Sequence, residues 1–196
     1  RNQKDFGFIS FSDGTQFIPL QLVYDKETEG FDDIRMLRVG SSICVRGMLQ
    51  KSIGAGQEYE FKILSCTLLG DCPEDYPLQP KQHSNEFLRS IAYLRPRANL
   101  FQAVFRIRSL AAMAIHTYFQ ERGYVYLHAP LITSSDCEGA GEMFQVTTLP
   151  IEQLKGSVDY GKDFFRKKAG LTVSGQLQAE TFATAFSKTY TFGPTF

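Results

Sequence analysis

An aromatic ring, Phe8, and a carboxamide, Gln21, are the side chains near the start of the chain whose chemistry is most informative. Each lies in a run rich in strand formers, 6–11 and 17–24, and alternation turns both away from the core. An outward ring can stack on an unpaired nucleobase, and a neighbouring amide can read the edge of that base. The pair predicts contact with RNA, although Phe8 alone could fill a barrel end and Gln21 alone could be an ordinary solvated residue.

Little information about function comes from the cysteines, from the histidine of the proline-rich segment or from the overall charge. The four cysteines show no CxxC pair and no zinc-ligand spacing, so we predict reduced thiols and no metal site. His83 stands alone in a polar loop and is expected to be a surface or capping residue. The formal net charge is +0, so any nucleic-acid contact must be local. With no apolar run of about 18 residues and no signal-like start, we expect a soluble intracellular protein without membrane contact.

The strands that must position Phe8 and Gln21 predict a small barrel over 1–70. Asp13-Gly14 predicts a hairpin between the first two strands, a short helix is expected over 31–37, and two more strands follow. The predicted core face of the second strand comprises Ile18, Leu20, Leu22 and Tyr24. Short antiparallel strands with one small helix predict an OB-fold, with its first strand incomplete.

A change of composition separates this barrel from the second half. Residues 71–90 are rich in proline and polar residues at their start and are predicted to be a linker or hinge. In the remainder, 91–196, helical spacing of apolar residues predicts a long helix that begins at an Asn99 cap and ends at Gly123. An apolar strand over 124–127 should follow.

Three collinear segments resemble one family of enzymes. ERGYVYLHAPLIT (121–133) looks like motif 1 of the class II aminoacyl-tRNA synthetases. SSDCEGAGEMFQVTTL (134–149) is similar to the flipping loop of the asparaginyl-tRNA synthetases, and the segment 171–196 resembles that family's run into motif 2. The resemblance spans the whole chain. It implies an OB-fold anticodon-binding domain followed by the N-terminal part of a class II antiparallel-sheet catalytic domain.

The resemblance implies roles for particular residues. In the barrel, Phe8 matches the aromatic residue that stacks on an anticodon base, Gln21 matches the amide that reads the central uridine, and Arg1 matches a backbone-contacting arginine. In the catalytic part, the residues that match amino-acid-binding positions are Glu138, Ser174 and Gln176. The flipping loop is matched by Gly139, Ala140 and Gly141, and Pro130 matches a residue at the dimer interface. The implied glutamate would engage the substrate ammonium group, and the glutamine would fix the amino-acid backbone.

One short segment distinguishes asparagine from aspartate as the implied substrate. Where aspartyl enzymes usually read Gln-Ser-Pro-Gln with a lysine three positions on, this chain has Ser174-Gly175-Gln176, with Ala179 at the lysine position. Three alternatives stay open: an aspartyl-type enzyme, a non-discriminating enzyme, or a non-catalytic RNA-binding paralogue. A generic barrel-and-helix protein would leave the collinear motif order unexplained.

The resemblance implies a reaction in which the asparagine carboxylate attacks the α-phosphate of ATP with Mg²⁺ assistance and pyrophosphate leaves. The asparaginyl group of the resulting adenylate is then transferred to tRNA(Asn), within a homodimer in the cytoplasm or, alternatively, in an organelle. Charge develops on phosphate and acyl oxygens in both steps, and the family supplies arginines for it in motifs 2 and 3. Both motifs would place those arginines beyond Phe196, so no catalytic residue is assigned here. We therefore expect a chain truncated at both ends, and expect it to be inactive by itself.

Overall fold

The computed structural model describes residues 2–54, 56–137, 139 and 143–196. The described residues divide between Arg108 and Ser109 into two compact units. Among the described residues, no helix is both long enough and apolar enough to cross a membrane.

The first unit contains a four-stranded sheet of mixed direction. Its strands are β1 (Phe6–Phe11), β2 (Leu20–Asp25), β3 (Ser42–Lys51) and β4 (Tyr59–Gly70). They lie in the order β1-β2-β4-β3, and only the central β2-β4 pair is parallel. The helices are α1 (Phe31–Arg35), α2 (Asn85–Ser90), a 3-10 turn (Arg95–Arg97) and the start of α3 (Asn99–Glu121). The connection from β2 to its parallel neighbour β4 runs through α1 and β3.

The core of this unit is centred on Leu22, Tyr24, Ile34 and Ile63, which are all buried. The alternation predicted for β2 is confirmed for Leu22 and Tyr24, whose neighbours in sequence turn to the other face. The prediction for Ile18 is wrong, because its side chain is 76% exposed. The strand begins only at Leu20, after a proline that has no N–H to donate to a ladder.

The second unit holds two small sheets around the end of α3 and the helix α4 (Gln176–Phe186). The strands are β5 (Val125–Leu127), β6 (Ile132–Thr133), β7 (Gln145–Val146), β8 (Ala169–Leu171) and β9 (Thr189–Thr191), with 3-10 turns at Ile151–Leu154 and Tyr160–Lys162. The sheet ordered β6-β8-β7 is antiparallel, as expected. The β5-β9 pair is parallel, which the prediction of a purely antiparallel sheet did not anticipate.

The end of the long helix agrees with its sequence signals, whereas its predicted cap does not. Asn99 is the first residue of α3 rather than its N-cap, because the Gln102 N–H donates to Ala98 O. The helix α3 ends two residues before Gly123, whose φ of 76° is the left-handed conformation that favours glycine after a helix. The last strand, β9, ends at Thr191. The proline at 194 and the glycine before it account for the irregular end, since neither suits a ladder.

We predict that Leu22→Ala destabilises the first unit by about 3 kcal/mol, because it removes a fully buried side chain and leaves a cavity. Leu64→Ala is the matched control, since Leu64 lies in the same sheet with 51% of its surface exposed. Urea unfolding of the two variants checks this. Similar losses of unfolding free energy in both would contradict the assignment of the core.

Candidate RNA-binding face and candidate amino-acid site

The hairpin register places Phe8 and Gln21 on one face of the first sheet. In the antiparallel β1-β2 pair, Phe8 lies opposite Val23, and Gln21 lies opposite Ser10. Directly opposed residues share a face, so Phe8 and Gln21 are diagonal neighbours on the side away from the core. The Phe8 ring is half-buried and meets the Phe6 ring edge-on at 5.5 Å between centroids. The placement predicted from alternation is therefore confirmed.

The amide of Gln21 is held by a buried carboxylate. Its Nε2 donates to Glu60 Oε2 at 3.4 Å. The same carboxylate accepts from Gln50 Nε2 at 3.0 Å and from Ser52 Oγ at 3.2 Å, and Glu60 is only 6% exposed. These donors satisfy a charge that would be costly to bury alone. They also orient the Gln21 amide with its nitrogen toward Glu60 and its carbonyl oxygen away from it.

An ion pair lies on the same face beside the two residues. Lys62 Nζ is 3.0 Å from Asp25 Oδ2, and both side chains are about one-third exposed. The hydrogen bond from Lys62 lowers the pKa of Asp25, and the same bond raises the pKa of Lys62. The positive charge of Lys62 is therefore compensated by Asp25. Arg1 lies outside the described residues.

In the second unit, Ser174 and Gln176 meet at the start of α4 together with Cys137. Ser174 Oγ donates to Cys137 Sγ at 3.5 Å, and Cys137 Sγ donates to Gln176 Oε1 at 3.7 Å. The ring closes where the backbone N–H of Gln176 donates to Ser174 Oγ at 3.3 Å. At its other end, the Gln176 amide donates from Nε2 to Glu180 Oε1 at 2.9 Å. The structure thus brings together both predicted amino-acid-binding residues that it describes.

Gly175 allows the close packing on which this arrangement depends. A Cβ at that position would lie 2.8 Å from Thr191 Cγ2 and 3.0 Å from Ala129 Cβ. Its φ of −91° is open to any residue, so lack of space rather than backbone strain favours glycine. The chain can therefore turn from Ser174 into α4 directly against β9.

Of the remaining predicted residues of the second unit, Gly139 and Pro130 are among those that the structure describes. Glu138, Ala140 and Gly141 lie outside the described residues. Gly139 is exposed, with a φ of 60° that favours glycine. Pro130 is exposed and lines a cavity of about 280 Å³ in the second unit. Its role at an interface stays a prediction.

Two residues of these sites carried no signal in the sequence. Glu60 was one acidic residue in a strand, and its contact with Gln21 joins strands 39 positions apart. Cys137 was interpreted only as a reduced thiol, yet it contacts two predicted site residues. Only the position of Cys137 beside Glu138 in the segment that resembles the flipping loop could have drawn attention to it.

Comparisons with known proteins cover both units. Residues 84–196 match the family model described as tRNA synthetases class II (D, K and N). The whole chain is 54% identical, over 200 residues, to the asparagine–tRNA ligases of Desulfitobacterium hafniense (strain Y51) and Clostridium tetani (strain Massachusetts / E88), and spans 43% of each. Its fold matches the crystal structure of asparaginyl-tRNA synthetase from Pyrococcus horikoshii complexed with asparaginyl-adenylate, with a TM-score of 0.81 at 21% identity. That match covers 100% of this chain and 42% of the other.

The segment between β7 and β8 is held by a carboxylate whose pKa is low. Asp163 Oδ1 accepts from the backbone N–H groups of Thr148 at 2.9 Å and Phe164 at 2.7 Å, and from the Thr148 hydroxyl at 2.9 Å. The Thr147 hydroxyl, followed by these donors, lowers the pKa of Asp163 to about 2. The ionised form therefore fastens the segment that follows β7.

We predict that Asp163 contributes stability that is present above about pH 4 and is lost as the pH falls toward its folded pKa of about 2. The sign follows because the unfolded state, with an ordinary carboxyl pKa, binds more protons in that window. Asp163→Asn should therefore lower stability at neutral pH and flatten its pH dependence between about pH 4 and 2. Urea unfolding across a pH series measures both effects. Parallel curves for the two proteins would contradict the assignment.

Proposed function

Because the chain belongs to the class II tRNA synthetases of the D, K and N group, we propose that it is part of an enzyme that activates asparagine with ATP and transfers it to tRNA(Asn). The observation on which this depends is 54% identity over all of the chain to relatives named asparagine–tRNA ligase. The chain spans 43% of those relatives, so the activity is proposed for the longer protein. Ala179, in place of a lysine, supports asparagine over the aspartyl-type and non-discriminating alternatives.

The first unit is proposed to be an OB-fold that reads the anticodon. The order β1-β2-β4-β3, with its parallel central pair and the helix α1 before β3, is what the second to fifth strands of an OB barrel would form. Phe8 would stack on an anticodon base, and Gln21 would read the central uridine. The Gln21 carbonyl oxygen, turned away from Glu60, suits the N3–H donor of uracil. Arg1 is proposed to contact the RNA backbone.

The second unit is proposed to bind the amino acid. Glu138 would engage the α-ammonium group through a charge-assisted hydrogen bond, and Gly139, Ala140 and Gly141 would let the loop close over it. Ser174 and Gln176 would hold the backbone of the amino acid. Their proximity at the start of α4 supports a shared site.

ATP and Mg²⁺ are proposed for the complete enzyme, as are dimerisation near Pro130 and a cytoplasmic location. Mg²⁺ would neutralise phosphate charge during activation. Among the described residues, no group of three His, Cys, Asp or Glu side chains is placed to hold a metal ion. No residue of this chain is proposed as a ligand of Mg²⁺.

The amino-acid substrate is tested with the full-length protein in ATP–pyrophosphate exchange. We predict exchange with asparagine and at least about 100-fold less with aspartate at equal concentration, since a site built for an amide leaves polar groups unpaired against a carboxylate. Equal exchange with both amino acids would favour the non-discriminating enzyme. Absence of exchange with either would favour the RNA-binding paralogue.

The anticodon proposal predicts that Phe8→Ala weakens binding of a hairpin RNA with the anticodon GUU by about 5- to 100-fold, because one stacked base is lost. Phe17→Ala is the control, since Phe17 is 45% exposed in the same unit but precedes β2. The dependence of binding on salt should change little, because no phosphate contact is removed.

Gln21→Ala should instead reduce discrimination between uracil and cytosine at the central anticodon position, since the base-reading acceptor is removed. Fluorescence anisotropy with the two hairpins measures the ratio of dissociation constants. An unchanged ratio, or an equal effect of Phe17→Ala and Phe8→Ala, would contradict the assigned face.

A further inference from the structure

The thiol of Cys137 closes a ring of hydrogen bonds with two residues of the proposed amino-acid site. It accepts from Ser174 Oγ at 3.5 Å and donates to Gln176 Oε1 at 3.7 Å, while Ser174 Oγ accepts from the Gln176 N–H at 3.3 Å. In this ring Ser174 Oγ and Cys137 Sγ each donate one hydrogen bond and accept another. Gln176 Oε1 only accepts, and the Gln176 N–H only donates. A thiol meets both demands on Cys137 because it has one weak donor and an accepting sulfur.

The ring and Glu180 together determine which way the Gln176 amide faces. Oε1 receives the thiol proton, and Nε2 donates to the Glu180 carboxylate at 2.9 Å. A 180° flip would bring Oε1 against the carboxylate oxygen and Nε2 toward the thiol. That flip exchanges an attractive contact for a repulsive one at the charged end, so the observed orientation is favoured.

The surroundings hold Cys137 and Ser174 in place. Cys137 is 5% exposed and Thr172 is equally buried. The Thr172 hydroxyl donates to the Ser174 backbone oxygen at 2.5 Å, and the Thr172 N–H donates to Leu131 O at 2.8 Å. The backbone of Ser174 is therefore fixed to the buried end of β8. Weak hydrogen bonds to sulfur contribute more to the orientation of a side chain when both partners are already ordered in this way.

Resting on the amino-acid site proposed above, we propose that Cys137 is a positioning residue that sets the orientation of the Gln176 amide. Its sulfur also joins the segment immediately before Glu138 to the first turn of α4, across 39 positions in sequence. The Gln176 side chain is thereby oriented before the amino acid arrives, which lowers the ordering cost of binding. Cys137 itself neither touches the substrate nor reacts.

Three substitutions in the full-length protein separate hydrogen bonding from packing. Cys137→Ser keeps a donor and an acceptor, Cys137→Val fills the volume without either, and Cys137→Ala removes both volume and bonds. In asparagine-dependent pyrophosphate exchange, we expect KM for asparagine to rise about tenfold in the Ala and Val variants, as for one lost hydrogen bond. The Ser variant should stay within about threefold of the wild type, and KM for ATP should not change in any of them.

Cys72→Ala is the control, because Cys72 is also a buried cysteine but lies in the first unit. It should leave KM for asparagine unchanged. Thermal unfolding of each variant identifies those that fail to fold, and the Ser and Val variants decide the question if the Ala variant does. A Val variant that matches the wild type while the Ser variant does not would show a packing role and overturn the proposal.

Two further outcomes keep this inference distinct from the proposed function. If the wild type gives asparagine-dependent exchange but no Cys137 variant changes KM for asparagine, only the positioning role is overturned. If the wild type gives no exchange with asparagine, the proposed function fails and this inference fails with it.

Discussion

The pairing register of β1 and β2 is the constraint on which the candidate RNA-binding face depends. Gly7 lies opposite Tyr24 in this register, and a Cβ on Gly7 would lie 2.3 Å from the Tyr24 hydroxyl. Only glycine leaves room for that ring in the core. A slip of β1 by one residue would bring Phe8 opposite Tyr24 and turn its ring to the core face, away from the face that carries Gln21. Core packing therefore decides which side chains reach the solvent side.

At the start of α4, too, close packing of the backbone determines where polar side chains lie. Close packing against Thr191 leaves no room for a side chain at Gly175, and the chain turns there from Ser174 into the first residue of α4, Gln176. Hydrogen bonds between them and Cys137 then set the direction of the Gln176 amide. In both units a buried side chain, the accepting carboxylate of Glu60 or the donating thiol of Cys137, orients an amide that the proposed function needs. This is preorganisation by neighbouring side chains, which lowers the cost of ordering a binding group.

Local patterns predicted the features that depend on local physics. Alternation along β1 placed Phe8, and helical spacing with Gly123 located the end of α3, because strand and helix periods are properties of neighbouring residues. Ile18 was misplaced because the start of a strand depends on its partner as well as on its own apolar residues. The burial of Glu60 was equally inaccessible, since its donors come from other strands. Roles at the amino-acid site came from family resemblance and could not be derived from spacing.

One face of the first sheet is proposed to bind an anticodon base, and NMR titration of the chain with a GUU hairpin RNA tests this most directly. The account predicts that the largest shift changes fall on the side-chain amide of Gln21 and the methyl groups of Val23, which share that face with Phe8. The methyl groups of Leu22, on the core face, should change much less. Changes centred on Leu22 and Ile63, or confined to the second unit, would contradict the account.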